Sequence, residues 1–337
     1  METKVLNTLE INKAVDILKS GGIVAIPTET VYGLAANALD GNAVSKIFKA
    51  KGRPMDNPLI VHIADMGAIN ILCSNFPDKA RKLTEKFWPG PLTIILPKSN
   101  IIPGEVSAGL DTVAVRFPSH KITQDIIKES GLFLAAPSAN KSGSPSPTSA
   151  LHVFKDLNGK IDAIVDGGEC EVGLESTVIT FANDKPKLLR PGKVTINEIE
   201  NVIGKIDIDD SVYNKLKENV IPSSPGMKYK HYAPSAKIIL INSDSEKYID
   251  YVNNHKDSGV VALCYDEDID NLNVPCISYG KLDDSKEQAS KIFSCLRKID
   301  DLNAKVAYAR CPKKDGVGLA VYNRLIRAAG FEVINIE

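Results

Sequence analysis

The chain has 337 residues, of which 43% are apolar, 25% charged and 6% aromatic, a near-average composition that excludes a disordered or low-complexity protein. Its 41 Lys and Arg against 42 Asp and Glu give a formal charge of −1, which argues against a globally basic nucleic-acid binder and leaves only a local basic patch. Six cysteines without a CxxC pair exclude a zinc ribbon or thioredoxin motif and read as reduced, buried thiols.

In chain order, Leu9, Ile11, Ala14, Val15 and Leu18 predict one helical face, stopped by Gly21-Gly22. Residues 23–26 predict a short buried strand ending at Pro27. Further helices are predicted near 41–50, 77–87, 120–129 and 149–156. Strands are predicted at 59–63, 92–97, 113–117, 132–136, 161–165 and 176–181. Thr195 and Glu198 have capping-box spacing for a helix through about 203. The mixture predicts an α/β domain over residues 1–205. Between 206 and 235 the periodicity fails, and Pro222, Pro225, Gly226 and Pro234 mark a linker with a short helix at 211–219. From 236 to 337 alternation restarts, with strands at 237–241, 259–263, 274–278, 305–309 and 331–336. The helices there are 245–254, 285–299 and 316–329, the second opened by a Ser285–Gln288 capping box. This predicts a smaller Rossmann-like α/β domain. No apolar run approaches a membrane span and no leader is apparent, so a cytoplasmic location is expected.

The usual nucleotide and hydrolase signatures are missing: there is no GxxxxGK[ST], strand–GxGxxG–helix, HExxH or GxSxG. The polar groups gather instead at four predicted strand ends, where α/β folds collect ligands. Pro27 to Leu34 carries two hydroxyls, the Glu29 carboxylate and a phenol. Lys49, Lys51 and Arg53 close a helix and enter a Pro-bounded loop, which suits either a helix C-terminus or a phosphate clamp. His62 follows as a polar side chain within an apolar strand. Residues 137–147 supply serines, Asn140 and Lys141, a composition able to cradle an anion. Asp166-Gly167-Gly168, Gly173 to Val178 and Arg190-Pro191-Gly192 form the fourth group.

Taken together, PTETVYGL at 27–34, Lys51-Gly52-Arg53, NPLIVHI at 57–63, AVRFP at 114–118, PSAN at 137–140, GLESTV at 173–178 and LRPG at 189–192 resemble the threonylcarbamoyl-AMP synthase family. The resemblance continues through SPGMKYKHYAP at 224–234 into the C-terminal domain, as in the family's two-domain form. It implies a YrdC-like twisted-sheet α/β domain followed by the smaller Rossmann-like one. It also implies a nucleotidyltransferase that joins L-threonine, bicarbonate or CO2, and ATP into threonylcarbamoyl-AMP and pyrophosphate. Lys51 and Arg53 would be the catalytic cations. Thr30, His62, Arg116, Ala136 and Ser176 would hold L-threonine. Lys51, Arg53, Asn57, Thr112, Ser138, Asn140, Ser146 and Arg190 would surround ATP. Read from its residues, the linker's Met227 to Tyr232, large and polar between prolines, suits a lid that brings His231 or Tyr232 near the phosphates, or else a plain extended tether. Mg2+ is expected to arrive on the nucleotide. A downstream transferase complex would carry the group to tRNA beside the anticodon.

Two other readings are weighed. A carbamoyl-adenylating maturation factor would need CxxC zinc modules that this chain lacks. A non-catalytic double-stranded RNA-binding module could use the basic stretch near 46–53, but the near-zero net charge speaks against it as the sole role.

Overall fold

A computed structural model describes residues 2–183, 185–215 and 232–337. The described residues fall into two compact units. The first runs through Ser142 and resumes over Ser146–Val212. The second holds Gly143–Pro145, Tyr213–Lys215 and the described residues beyond 231. Each is an α/β body.

The strands of the first unit are β1 (Lys4–Leu6), β2 (Val24–Ile26), β3 (Gly33–Asn37), β4 (Ile60–His62), β5 (Leu92–Pro97), β6 (Thr112–Arg116), β7 (Leu134–Ala135), β8 (Ala163–Val165), β9 (Thr177–Thr180), β10 (Lys187–Arg190) and β11 (Asp207–Ile208). They form one mixed sheet in the order β1-β8-β2-β3-β7-β4-β6-β5-β9-β10-β11. Among its helices are α1 (Ile11–Lys19), α2 (Gly41–Lys51), α3 (Ala68–Leu72), α4 (Asp78–Phe87), α5 (Gly104–Ser107), α6 (Lys121–Ser130), α7 (Ala150–Leu157) and α8 (Ile196–Ile203).

Local chemistry sets the helix ends. The Asp40 carboxylate accepts the Asn42 and Ala43 N–H groups to open α2, and Gly52 closes it in the left-handed region at φ 61. Thr195 and Glu198 form the predicted reciprocal box on α8. The start of α1 differs from expectation. Asn7 holds a turn by accepting the Leu9 N–H at 2.9 Å, so the helix opens only at Ile11 and Leu9 is 90% exposed.

Alternation along the central strands separates two faces. Val61, Ile94, Val113, Val115 and Ile179 join the large core. Ile60, Ile95, Ala114, Val178 and Leu189 form a small separate cluster on the opposite face. By the same alternation, His62, Thr93 and Arg116 lie at one end of that second face, and Thr112 and Thr180 at the other. Register pairs Arg116 with both His62 and Thr93, and Thr112 with Pro97. Arg116 and Thr112 therefore share a face of β6 roughly 13 Å apart, at about 3.3 Å per residue.

The second unit contains β12 (Lys237–Asn242), α9 (Ser245–Asn254), β13 (Val260–Cys264), β14 (Cys276–Ser278), α10 (Ser285–Asp301), β15 (Val306–Arg310), α11 (Gly318–Ala328) and β16 (Val333–Asn335). Its sheet is parallel, in the order β14-β13-β15-β12-β16. The chain crosses first one way and then the other, so right-handed crossovers put α9 on one face and α10 with α11 on the other. This is the Rossmann-like arrangement the alternation predicts. Ala289, Ile292, Phe293 and Leu296 are buried on α10 as expected.

Two details are corrected. The α10 cap is Asp284, whose carboxylate accepts the Lys286 and Glu287 N–H groups, while the Gln288 amide donates to Lys281 O at 2.6 Å. A carboxylate one residue earlier displaces the predicted Ser285–Gln288 box. Where a helix was expected at 211–219, Asp210–Val212 make a single 3-10 turn, and 216–219 lie outside the described residues.

Candidate active site

The loop from Pro27 to Tyr32 is built by its own side chains. Thr28 Oγ1 donates to Val31 O at 2.6 Å and accepts the Thr30 and Val31 N–H groups at 3.2 Å each. It also meets Thr30 Oγ1 at 2.8 Å. This turn points Thr30 at the end of β6, where Arg116 Nη1 donates to Thr30 Oγ1 at 2.8 Å. Arg116 Nη2 stands 2.7 Å from Glu29 Oε1, a buried ion pair in which the N–H is poorly aligned with the oxygen. Neither Arg116 Nε nor Nη2 makes a well-aligned hydrogen bond among the described residues, and the Glu29 and Ser119 N–H groups approach the Glu29 carboxylate. Both side chains are buried.

Burial raises the Glu29 carboxyl pKa, but the Arg116 charge and backbone N–H groups outweigh it, and the net displacement is downward. The carboxylate is ionised at neutral pH. His62 lies beside Arg116 in register. Burial first, and then the Arg116 charge, lower its pKa to about 3, so the ring is neutral. Its Nδ1 is buried without a partner among the described residues.

Ser176 completes this end. Its Oγ is 2.7 Å from Thr93 Oγ1 and accepts Arg190 Nη2 at 3.2 Å, while Arg190 Nε donates to Ser176 O at 3.0 Å. Gly192 permits the approach: a Cβ there would lie 2.4 Å from Thr177 N and 2.7 Å from Thr177 Oγ1. Tyr32 pins the glycine loop opposite, accepting the Gly167 N–H at 3.1 Å and donating to Gly168 O at 2.7 Å.

A second cluster lies where α2 ends. The Lys51 ammonium is buried and donates to Ser138 O and Asn140 O at 2.5 Å each. Ser142 N returns to Lys51 O at 2.9 Å. Ser138 Oγ donates to Asn140 Oδ1 at 2.5 Å. The Lys-x-Arg segment and the Ser-x-Asn loop are thus one unit. Arg53 Nη2 reaches Asn57 O and Pro58 O at 3.4 Å. The Asn57 amide is 1% exposed, and neither its oxygen nor its nitrogen has a partner among the described residues. An unsatisfied buried amide is expensive and points to a ligand that completes it. Ser146 Oγ donates to Glu175 Oε1 at 2.5 Å.

The remaining residues singled out in the sequence are placed as follows. Ala136 is buried directly after β7, its N–H on Ile60 O at 2.9 Å. Thr112 is at the far end of β6, where it lines a cavity of about 220 Å3 with Asp111, Thr180, Lys187 and Asp209. Tyr232 belongs to the second unit, its ring centroid 5.1 Å from that of Phe293 and 5.6 Å from the Arg324 guanidinium. His231 lies outside the described residues. Sequence reasoning assigned no role to Glu29, Glu175 or His120, whose Nδ1 is also buried and without a partner among the described residues. Glu29 stood within a motif that signalled the site; His120 gave no signal.

Among the described residues no group of three His, Cys, Asp or Glu side chains could hold a metal ion. No helix among the described residues is long and apolar enough to cross a membrane.

The geometry is matched by known proteins. A family model described as telomere recombination matches residues 16–192, and one described as the C-terminal domain of threonylcarbamoyl-AMP synthase matches 194–330. The threonylcarbamoyl-AMP synthase of Pyrococcus abyssi is 46% identical, covering 97% of this chain and 96% of that protein. That of Bacillus subtilis is 45% identical, covering 97% and 95%. The crystal structure of Pyrococcus abyssi Sua5 complexed with L-threonine superimposes with a TM-score of 0.92 at 44% identity, covering 99% of this chain and all of that one. Over nearly its whole length, then, this chain belongs to the threonylcarbamoyl-AMP synthase family.

Proposed function

We infer that the chain is a nucleotidyltransferase that makes threonylcarbamoyl-AMP and pyrophosphate from L-threonine, bicarbonate-derived CO2 and ATP. The observation that carries this is the set Thr30, His62, Arg116 and Ser176 at one end of a sheet face. The open hydrogen-bonding capacity of Arg116 and His62, beside the hydroxyls of Thr30 and Ser176, suits a small ligand with a carboxylate and a hydroxyl. Relatives of near-equal length bear the synthase name, and one has been solved with L-threonine.

The Nε and Nη2 edge of Arg116 is the side-on fork that takes a carboxylate through two parallel bonds. It would receive the threonine carboxylate, with the neutral His62 ring, Thr30, Ser176 and the wall at Ala136 fixing the rest. The threonine ammonium gives up a proton, the amine bonds to the CO2 carbon, and a second proton is lost to solvent to give a carbamate. A carbamate oxygen then attacks the α-phosphorus, the bond to the β-phosphate oxygen breaks, and pyrophosphate leaves. The attacking oxygen comes from substrate, so the protein's part is placement and charge compensation. Lys51 and Arg53 would offset phosphate charge, and Asn57, Ser138, Asn140, Ser146 and Arg190 would orient the chain of phosphates. Mg2+ bound with ATP would neutralise further phosphate charge. The apolar patch of Ile60, Ile95 and Ala114 leads to the cavity at Thr112, which suits the nucleoside end. The product fits a downstream transfer to tRNA.

The test is pyrophosphate release by the purified full chain with ATP and Mg2+. It is expected to require both L-threonine and bicarbonate. Equal release without threonine overturns the reading.

A further inference from the structure

The neighbourhood of Arg116 contains a charged group with no role in the reaction above. Glu29 is 6% exposed and Arg116 4%. Taking a carboxylate from water into such a place costs several kcal/mol unless a partner compensates. Its companion is Arg116 Nη2 at 2.7 Å, whose charge does most to compensate it, with the Glu29 and Ser119 N–H groups adding to it.

The contact is also directional. Arg116 is held at two points: Nη1 by Thr30 Oγ1 at 2.8 Å and Nη2 by the charge of Glu29. Thr30 and Glu29 are adjacent in a loop that Thr28 locks from within. Two anchors on one turn fix both the position and the rotation of a planar guanidinium, and leave Nε and the second Nη2 hydrogen to face a ligand. With Thr30 alone, the plane could turn about the Nη1 contact.

We propose that Glu29 is a positioning residue for substrate recognition: it fixes the guanidinium plane of Arg116 so that the Nε edge is set for the amino-acid carboxylate. This rests on the inferred use of Arg116 for threonine. Glu29 acts through Arg116 and touches neither the nucleotide nor the reacting atoms. The pair is also charge-balanced before substrate arrives, so an α-amino acid, itself a zwitterion, enters without a net charge being buried.

The experiment is calorimetric titration of L-threonine into the full-length chain, without ATP, for the parent, Glu29→Gln, Arg116→Lys and the double variant. Glu29→Gln keeps the volume and removes the charge. A thermal melt shows whether it folds, and Glu29→Asp, which keeps the charge on a shorter stem, serves if it does not. The expected result is threonine binding weakened at least tenfold by Glu29→Gln, with nucleotide binding changed less than twofold. In the Arg116→Lys background, which lacks a plane to orient, the same change should weaken threonine less than threefold further. Parent-like threonine binding by a folded Glu29 variant overturns the proposal. So does a tenfold loss repeated in full in the Arg116→Lys background, because Glu29 would then act independently. If the parent chain itself binds no threonine, the functional reading fails, and that outcome is distinct from either of these.

Discussion

Two strands of this chain end in a buried arginine beside a buried carboxylate, and the surroundings of the two pairs differ. In the second unit, Arg310 closes β15. Its Nη1 bonds Asp268 Oδ1, and also Ser245 Oγ at 2.9 Å. Ser245 Oγ donates to Asp268 Oδ1 at 2.5 Å, and the Tyr265 N–H reaches Asp268 Oδ2 at 3.2 Å. The guanidinium lies over the rings of Tyr248 and Tyr265, 5.7 and 5.1 Å from their centroids. Both Asp268 oxygens are occupied. In the first unit, Arg116 closes β6 with Nε and Nη2 lacking a well-aligned hydrogen bond among the described residues. A buried ion pair is therefore not itself a mark of a binding site. The mark is hydrogen-bonding capacity left open inside the protein, since leaving it open is destabilising until a ligand arrives.

The sharpest way to break this contrast is to remove one partner from the saturated pair. Asp268→Ala leaves a buried guanidinium uncompensated and should destabilise the second unit by about 3–5 kcal/mol. Urea unfolding followed by a probe in that unit reads it, while threonine titration of the folded protein should be unchanged. Parent-like unfolding would mean the pair is not structural. Next in size is Arg116→Lys, which keeps charge but loses the fork. The threonine KM should rise on the order of tenfold or more, about 1.4–3 kcal/mol, with a smaller change for ATP. Equal changes in both would move Arg116 away from the carboxylate.

The third prediction concerns pH. The folded-state pKa of His62, about 3, lies below the ordinary value of about 6.5. The unfolded chain therefore binds the proton more readily. This group's contribution to stability is complete above about pH 6.5 and is lost as pH falls toward 3, at up to about 1.4 kcal/mol per pH unit. His120 is displaced in the same direction by burial, with Glu29 opposing. His62→Asn should flatten the slope of unfolding free energy between pH 6.5 and 4.5 without abolishing it. An unchanged slope would show that His62 is not the group responsible. Glu29 enters only lower, since a carboxyl with a depressed folded pKa loses its contribution below the ordinary range near 4.3.

Much of the architecture was legible because it is written locally. The Thr195–Glu198 box, the cation-rich end of α2 and the buried face of α10 depend on residues within one or two turns. What was not legible depends on distant partners. Lys4–Leu6 becomes a strand only by pairing in register with Ala163–Val165. Leu134–Ala135 falls within the strand predicted at 132–136, but its pairing with both β3 and β4 could not be read from that run. The Ser285 box failed because a competing carboxylate stood one position earlier. At the site, motif order identified Thr30, His62, Arg116 and Ser176. The link from Glu29 to Arg116 crosses 87 positions, from 29 to 116, and no local pattern announces it.

Gly192 carries a consequence for anyone scanning this chain by substitution. Its missing side chain lets the exit of β10 lie against the start of β9, since a Cβ would fall 2.4 Å from Thr177 N. The obstruction is backbone, which cannot swing aside as a flexible side chain can. Even alanine would have to lift the Arg190–Ser176 contact out of place. An alanine scan would therefore score Gly192 among the most sensitive positions for substrate, although glycine has no side chain with which to bind one. Sensitivity there would report the spacing of two strands, and a map of function drawn from such losses would place a ligand contact where there is only a clearance.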